Sequence, residues 1–468
     1  MMDISRRGFL TAAGIAAGAT FAKMPVAEAS TKTVLHARTR QIEVDGKAAT
    51  RYGVEQADGT FGLFLNPGEQ FNVRLVNELA DSTLVHWHGM DEPWQQDGVP
   101  YLSAFPIAPG ESADYLYDPK PSGTRWMHSH FGLQEQNLLA APLIIRDKAA
   151  MQEDAQEVVL LLEDFSWTSP EEIFANLRKP KKMMSMGSSS DKEVGPDLND
   201  VEFDAFLAND RTLDDPEVVA VEKGGRVRLR IINASASSNY TIDLGALEGT
   251  LIAVDGNPIE PLSGKTFPLA IAQRADIMVT LPSDGSAAAV LAHCEGRKMR
   301  SGIILAPKGA TVAKIATMTD SEGPEIGLAQ ELQLRAAAPL AAKKTQRRIP
   351  VHLTGSMSSY IWNMPIEGQG GMPAVVSEQQ RVEITMTNET PMSHPMHLHG
   401  HSFQVVEING TKISGAMRDT IMMPPKAQVT VALDTTNPGL WAFHCHNLYH
   451  LAAGMFSTMA YRQIPKST

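Results

Sequence analysis

Residues 66–77 read NPGEQFNVRLVN, a turn followed by a strand-like alternation of apolar and polar side chains that ends in asparagine. The same pattern recurs at residues 221–233, VEKGGRVRLRIIN, and at residues 377–388, SEQQRVEITMTN. The three closing asparagines are separated by 156 and 155 positions. This spacing indicates an internal repeat that occurs three times along the chain.

A second recurring feature supports this repeat. Alternating strands at residues 112–117, 275–281 and 427–433 each follow a turn that contains proline. Period-2 patterns and turn residues are frequent, whereas long stretches with the 3.6-residue period of a helix are rare. We therefore predict an all-β protein of three tandem β-sandwich domains. The predicted domains are residues 30–150, 151–310 and 346–468, with a linker rich in alanine and charged residues at 311–345.

The composition excludes several classes of function. The chain has 468 residues, of which 43% are hydrophobic and 20% charged, as in soluble globular proteins. Its 53 acidic and 41 basic side chains give a formal charge of −12, so nucleic acid is not expected as a partner. Two cysteines cannot form a disulfide-dense scaffold.

The N-terminal residues 1–29 have the features of a twin-arginine signal peptide. Arg6 and Arg7 precede a 13-residue apolar run from Phe9 to Phe21, and an A-x-A cleavage pattern follows at residues 27–29. The run is too short for a stable membrane span, which needs about 20 residues. We expect export by the twin-arginine machinery and a mature protein in the periplasm.

Most of the 14 histidines fall in four tight clusters, at equivalent places in the first and third repeats. The H-x-H pattern directs two imidazole rings to the same face of a strand, and imidazole and thiolate are transition-metal ligands. The clusters contain the following residues: His86 and His88; His128 and His130; His394, His397 and His399; His444, Cys445 and His446, followed by His450 and Met455.

The tripeptide His444-Cys445-His446 predicts two metal sites joined by one residue, because successive side chains of a strand point to opposite faces. His394, Cys445, His450 and Met455 supply two imidazoles, a thiolate and a thioether, the ligand set of a blue copper centre. Zinc fits less well, since the chain has no thiolate-rich tetrad. The other eight histidines suit three copper ions, with two ligands for one ion and three for each of the others.

In these motifs the sequence resembles a multicopper oxidase of the three-domain laccase and bacterial copper-resistance type. The resemblance implies three cupredoxin-like Greek-key domains and four copper ions, with substrate electrons used to reduce dioxygen to water. It implies a type 1 copper at His394, Cys445, His450 and Met455, and a type 2 copper at His86 and His397. It implies a pair of type 3 coppers at His88, His128, His130, His399, His444 and His446.

The middle repeat lacks this ligand set. Its segment Leu291-Ala292-His293-Cys294-Glu295 aligns with the region around Cys445, but residues 238–245 hold no histidine where the third repeat has three. We interpret Cys294 as a buried structural thiol, and we expect the three-copper cluster to lie between the first and third domains.

Two acidic residues are candidates for proton delivery to dioxygen. Asp97 follows His88 by nine residues, at a position where the family motif has an acid. The family often has a second acid directly after the last type 1 histidine, but this chain has Leu451 there. Glu135 is the candidate for this second acid. The alternative interpretation of both Asp97 and Glu135 is a solvated turn residue.

The sequence is compatible with three functions: a dioxygen-reducing oxidase, a copper nitrite reductase-like enzyme, and a copper-free envelope scaffold. Eight clustered histidines favour the oxidase, because nitrite reduction has no use for a type 3 pair and a scaffold would not need the ligands. The resemblance to laccases implies oxidation of phenols at an open edge of His450 or His394, with other metal ions also possible.

Cuprous ion is the favoured physiological substrate. The chain has 23 methionines, and thioethers prefer Cu(I) to harder ions. Met392 lies two residues before His394 and is the candidate docking residue, although Thr390 stands where related cuprous oxidases have an acid. Core packing is the alternative for Met392. Met183, Met184 and Met186 form a further group in a polar segment.

Overall fold

A computed structural model describes residues 32–179, 198–366 and 373–464. The signal-like residues 1–29 and the group Met183, Met184 and Met186 lie outside these ranges. No helix in the described ranges is long and apolar enough to cross a membrane.

The first domain is a sandwich of two four-stranded sheets. One sheet has the strand order Lys47–Gln56, Thr33–Val44, Phe71–Asn77 and Ser112–Tyr117. The other has the order Leu63–Leu65, Ala140–Ile145, Gly123–Ser129 and Val85–His88. Short 3-10 helices lie at Trp94–Gln96 and Gln134–Asn137.

The second domain has a six-stranded and a five-stranded sheet. The larger sheet has the order Ala205–Ala208, Gln156–Phe165, Arg226–Asn233, Arg274–Thr280, Gly249–Val254 and Asn257–Gly264. The smaller has the order Val218–Val221, Arg300–Pro307, Ala288–Cys294, Tyr240–Asp243 and Thr266–Leu269. α-Helices occur at Lys148–Gln152 and Pro170–Leu177.

The third domain follows residues 311–345, a described segment that forms no strand or helix. Its larger sheet has the order Ile361–Asn363, Arg347–Ser356, Arg381–Asn388, Gln428–Asp434, Phe403–Ile408 and Thr411–Lys412, and Met417–Arg418 also pairs with Phe403–Ile408. The smaller has the order Ala374–Val376, Phe456–Tyr461, Leu440–Cys445, His394–Leu398 and Thr420–Met423. A short helix spans Leu448–Ala452.

The repeated strand has the same neighbours in all three domains, which confirms the predicted three-sandwich architecture. In each domain it pairs in parallel with the first long strand and antiparallel with the strand of the second repeated feature. Along Phe71–Asn77 the side chains alternate between buried and less buried, as the sequence pattern predicts. Three separate apolar cores lie inside the three sandwiches.

The closing asparagine of the repeat fixes the turn that follows the strand. Asn77, Asn233 and Asn388 are buried, and each side-chain oxygen accepts a hydrogen bond from the backbone N–H two residues later. Each side-chain amide donates to a carbonyl four or five residues later. In the first and third domains this closed turn precedes the strand that carries the H-x-H motif, so the repeated asparagine helps to position the histidines.

Candidate metal centre

The four H-x-H motifs lie on paired strands whose register places histidines opposite each other. His86 faces His128 across the strands Val85–His88 and Gly123–Ser129. His397 faces His444 across the strands His394–Leu398 and Leu440–Cys445. Directly opposed residues of antiparallel strands have neighbouring side chains, so each domain gathers its imidazoles at one sheet end.

The histidines of the first and third domains meet in one cluster of eight. Three Nε2–Nε2 distances join the two domains: 3.4 Å from His86 to His397, 3.3 Å from His128 to His446, and 3.3 Å from His130 to His444. The rings of His88 and His397 stack at a centroid distance of 3.8 Å. Several subsets of three have ligand atoms within 4.8 Å of one another. The structure thus brings together all eight predicted residues of this cluster.

Burial and mutual proximity keep seven of these eight rings neutral. The pKa values of His88, His128, His130, His397, His399 and His446 lie well below the ordinary value, first because of burial and then because of neighbouring imidazoles. The same causes lower the pKa of His444 to about 4. Neutral imidazole is the form that binds metal ions.

Acceptors outside the cluster orient the rings through their Nδ1 atoms. His397 donates to the backbone oxygen of Asp419 at 2.8 Å, and His444 donates to that of Cys445 at 2.9 Å. Contacts of this kind fix the tautomer and leave the Nε2 lone pair directed inward. His88 differs, since its Nε2 lies 3.1 Å from Asp419 Oδ1 and its buried Nδ1 has no hydrogen-bond partner.

The carboxyl groups of Asp97 and Glu135, the two predicted proton-delivering acids, both lie against this cluster. Asp97 Oδ1 is 2.9 Å from Nδ1 of His399 and 3.0 Å from Nδ1 of His86. Glu135 Oε2 is 2.8 Å from Nδ1 of His128. Both side chains are buried, so neither is a solvated turn residue. Burial and nearby carboxylates raise the pKa of Glu135 well above its ordinary range.

A second group of potential ligands lies on the opposite face of the same strand. Cys445 Sγ is 3.7 Å from Nδ1 of His394 and 3.7 Å from Nδ1 of His450, and these two nitrogens are 3.0 Å apart. Met455 is fully buried, and its carbonyl accepts a hydrogen bond from the Cys445 N–H. Burial raises the pKa of the Cys445 thiol and lowers that of His394. Since His444 and His446 belong to the eight-histidine cluster, one tripeptide joins both groups.

The edges of His394 and His450 are covered, contrary to the open histidine edge that the laccase resemblance implies. Both rings are 0% exposed. Nε2 of His394 is 2.7 Å from Thr390 Oγ1, and Nε2 of His450 is 2.7 Å from Asp200 Oδ2. No sequence pattern pointed to Asp200, because it lies 250 residues from His450 and outside any motif.

Met392, the candidate docking residue, is 3% exposed and packs in the apolar core of the third domain. This burial favours the core-packing alternative. The middle-repeat thiol Cys294 is also buried, and burial raises its pKa. His293 beside it is partly exposed and faces Asp243 at 3.4 Å.

An apolar cavity of about 300 Å³ reaches the eight-histidine cluster at His130, the only partly exposed member among the eight. Leu448, Leu451 and Phe456 contribute to its apolar lining. The side chain at position 451, where related proteins often have an acid, therefore faces a cavity that suits a small apolar molecule.

Comparison with known proteins places this geometry in a family. Three family models described as multicopper oxidase match residues 36–150, 156–315 and 343–464. The chain is 30% identical to multicopper oxidase MmcO of Mycobacterium tuberculosis over 408 residues, which cover 84% of this chain and 80% of that protein. It is 25% identical to copper resistance protein A of Escherichia coli, over 83% of this chain and 86% of the relative.

A solved laccase from Botrytis aclada has the same three-domain cupredoxin fold. It superposes with a TM-score of 0.74 at 21% identity, over 93% of this chain and 89% of the laccase. The predicted cupredoxin-like fold class is therefore confirmed. From the matching family models and the relative at 30% identity, we conclude that the chain belongs to the multicopper oxidase family of oxidoreductases.

Proposed function

We propose that this protein is a periplasmic oxidase that takes single electrons from cuprous ion and reduces dioxygen to water at a site of four copper ions. The observation that carries the proposal is the cluster of eight histidines, in which seven rings have lowered pKa values and three pairs of Nε2 atoms lie 3.3–3.4 Å apart across two domains. Neutral nitrogens facing each other without donors between them suit shared metal ions.

The donor sets fit copper. His394, Cys445, His450 and Met455 would hold the type 1 ion, and the unpartnered Nδ1 of buried His88 is available as a ligand atom. His86 and His397 would hold the type 2 ion. The type 3 pair would be held by His88, His128, His130, His399, His444 and His446. When bound, the copper ions would supply one-electron transfer and the reduction of dioxygen.

The chain's own residues orient the ligands, admit dioxygen and move protons. Asp97 and Glu135 fix the rings of His399 and His128, and their carboxyl groups lie against the cluster at which protons would be consumed. The cavity at His130 offers an apolar route for dioxygen. The strand through Cys445 connects the two groups of ligands by covalent bonds.

Cuprous ion as the substrate rests on two observations. The chain is similar to a protein named for copper resistance. The covered edges of His394 and His450 leave no exposed ring surface against which a phenol could stack. Met392 is buried, which argues against a docking site for the substrate, so its docking role stays a prediction.

The periplasmic location rests on the twin-arginine pattern of residues 1–29, which lie outside the described part of the chain. A fusion of these residues to a reporter that folds before export would test it. Replacing Arg6 and Arg7 by lysine should retain the reporter in the cytoplasm. Export of the doubly substituted fusion would contradict a twin-arginine signal.

Oxygen uptake by the copper-loaded protein tests the reaction. We expect uptake with cuprous ion, and slower uptake with ferrous ion, manganous ion or a phenol. Nitrite reduction without oxygen uptake would favour the nitrite reductase-like alternative, and absence of bound copper would favour the scaffold. Met392→Leu should impair uptake with cuprous ion alone if Met392 docks the substrate. Equal retention with cuprous ion and a phenol would assign Met392 to the core.

A further inference from the structure

The short helix Leu448–Ala452 carries His450 and begins at a capped turn. The side-chain oxygen of Asn447 accepts hydrogen bonds from the N–H groups of Tyr449 at 3.1 Å and of His450 at 3.3 Å. Such a cap satisfies N–H groups that a helix leaves without a partner in its first turn. The backbone of His450 is therefore held by the residue that begins the helix, while Asp200 holds the far edge of its ring.

Each of the three residues that precede His450 donates one hydrogen bond to a residue of another domain. These bonds run from Asn447 Nδ2 to Ser237 Oγ at 2.9 Å, from the Leu448 N–H to the Ala236 carbonyl at 2.8 Å, and from the Tyr449 hydroxyl to Gln136 Oε1 at 3.2 Å. All six residues are buried, so water does not compete for these bonds. The first turn of the helix is thus fixed against the first and second domains.

All three acceptor residues are themselves bonded to Asp164, a buried residue of the second domain. Oδ1 of Asp164 accepts from the Ala236 N–H at 3.0 Å and from Gln136 Nε2 at 3.3 Å. Oδ2 accepts from the Ser237 N–H at 2.9 Å and from Ser238 Oγ at 2.8 Å. One carboxyl group therefore gathers the acceptors of all three bonds that fix the helix.

We propose that Asp164 is a positioning residue for the predicted type 1 copper site, because it holds the residues that fix the helix carrying His450. This inference rests on the proposed oxidase function and deepens it. Residues 236–238 follow the closing asparagine Asn233, at the place where the third repeat leads into its histidine motif. The middle repeat thus supports the type 1 site without providing a ligand to it.

The position of the helix matters for the geometry of the predicted ligands. His450 Nδ1 lies 3.7 Å from Cys445 Sγ and 3.0 Å from Nδ1 of His394. A binding site keeps such distances only when surrounding contacts hold the ligands in place. If the first turn of the helix loosens, Asp200 still holds the ring edge of His450, but the backbone that carries the ring can shift relative to Cys445.

Asp164→Asn tests this role with little change in side-chain volume. An amide group has one acceptor oxygen, and its NH2 group can only donate. Whichever way the amide is turned, either the Ala236 N–H or the Ser237 N–H loses its acceptor, and the loop that holds the helix is loosened. We expect hydrogen exchange at the Leu448 N–H of the copper-free protein to become about tenfold faster or more.

Glu295→Gln is the matched control. Glu295 and Asp164 are both 1% exposed and belong to the second domain, but the Glu295 carboxyl group accepts from Asn239 and Ile326. In the copper-loaded protein, Asp164→Asn should shift the blue absorption band and change the copper hyperfine splitting in the electron paramagnetic resonance spectrum, at unchanged copper content. Glu295→Gln should leave the spectra and the exchange at Leu448 unchanged.

Unchanged exchange at Leu448 together with unchanged spectra in Asp164→Asn would overturn the positioning role. Equal changes in Asp164→Asn and Glu295→Gln would also overturn it, because they would follow from lost stability. If Asp164→Asn does not fold, Ser237→Ala removes only the acceptor of Asn447 Nδ2 and should produce the same changes at smaller size; their absence would overturn the proposal. If the wild-type protein binds no copper, the oxidase proposal fails, while the exchange comparison of the copper-free proteins still tests the role of Asp164.

Discussion

The carboxylate of Asp200 lies 2.7 Å from Nε2 of His450, and both side chains are fully buried. The same carboxylate oxygen accepts a hydrogen bond from the Tyr360 hydroxyl at 2.7 Å. A carboxylate bonded to the far nitrogen of a metal-binding imidazole fixes the ring and makes it a stronger ligand. A residue of the second domain thus orients a predicted copper ligand of the third.

Asp200→Asn should raise the reduction potential of the type 1 centre. Asparagine can still accept the hydrogen bond from His450, but the negative charge that favours the oxidised ion is removed. We expect an increase on the order of 60 mV, which corresponds to a tenfold change in preference for a one-electron couple. A redox titration of the blue absorption measures it. Tyr360→Phe keeps the charge and should shift the potential less.

Cys445→Ser should abolish the blue colour and the oxidase activity and leave the fold intact, because serine fills nearly the same volume but supplies no thiolate. Visible absorption, copper content and circular dichroism test this. Cys294→Ser is the matched control: an equally buried thiol, but in the domain without the predicted ligand set. The Cys294→Ser protein should keep the colour, and its free energy of unfolding should fall by about 1–3 kcal/mol because serine buries a hydroxyl group at this position. A blue and active Cys445→Ser protein would contradict the copper assignment.

Asp97→Asn should slow oxygen uptake without affecting the blue centre. Asparagine can still hold His399 in place, but it cannot deliver a proton to the histidine cluster. A loss of roughly 10²-fold is expected for removal of a general acid. Stopped-flow bleaching of the blue band should keep its rate. Normal oxygen uptake at normal copper content would remove Asp97 from the proton path.

The fold and the clustering of the histidines could be predicted from the sequence, since both depend on local pattern. Alternation predicts strands, and the H-x-H motif keeps two rings on one face whatever the surrounding packing. The pairing register of the strands shows which motifs lie next to each other, and the spacing of residues within one motif cannot show this. His86 lies opposite His128 because their strands pair antiparallel, and the repeat provides the same pairing for His397 and His444.

The contacts that orient the histidine rings could not be predicted from local sequence patterns. Asp200 and Asp419 act on histidines through the packing of different domains, over separations of 250 and 331 residues. Neither of them occurs at a motif spacing. The expected open edge of His450 was wrong for the same reason, since the residue that covers it comes from a distant part of the chain.

Arg274→Met should destabilise the junction of the three domains. The Arg274 guanidinium is 0% exposed and donates to Asp419 Oδ1 at 2.8 Å and to the Thr124 carbonyl at 3.2 Å. Removing one partner of a buried ion pair leaves the other charge uncompensated, at a cost of about 3–5 kcal/mol. Urea unfolding measures this cost. Arg74→Met breaks the exposed pair with Asp114 and should have little effect on the midpoint.

Glu295→Gln should remove a pH dependence of stability that originates in the second domain. Glu295 is 1% exposed and accepts hydrogen bonds from Asn239 Nδ2 at 2.7 Å and from the Ile326 N–H at 2.6 Å. Burial is the main cause that raises its pKa from 4.5 to about 7. The folded protein therefore binds a proton that the unfolded chain releases between these two pH values.

The sign of the effect follows from this proton. Between pH 4.5 and 7 the folded state binds more protons than the unfolded state, so the contribution of Glu295 to stability falls as the pH rises and levels off above pH 7. The full change is on the order of 3 kcal/mol. Because glutamine does not titrate here, the unfolding free energy of Glu295→Gln should rise relative to wild type from pH 4.5 to pH 7.5. Urea unfolding at several pH values tests this difference, in which contributions from other groups cancel. A difference that stays constant with pH would show that Glu295 keeps an ordinary pKa in the folded protein.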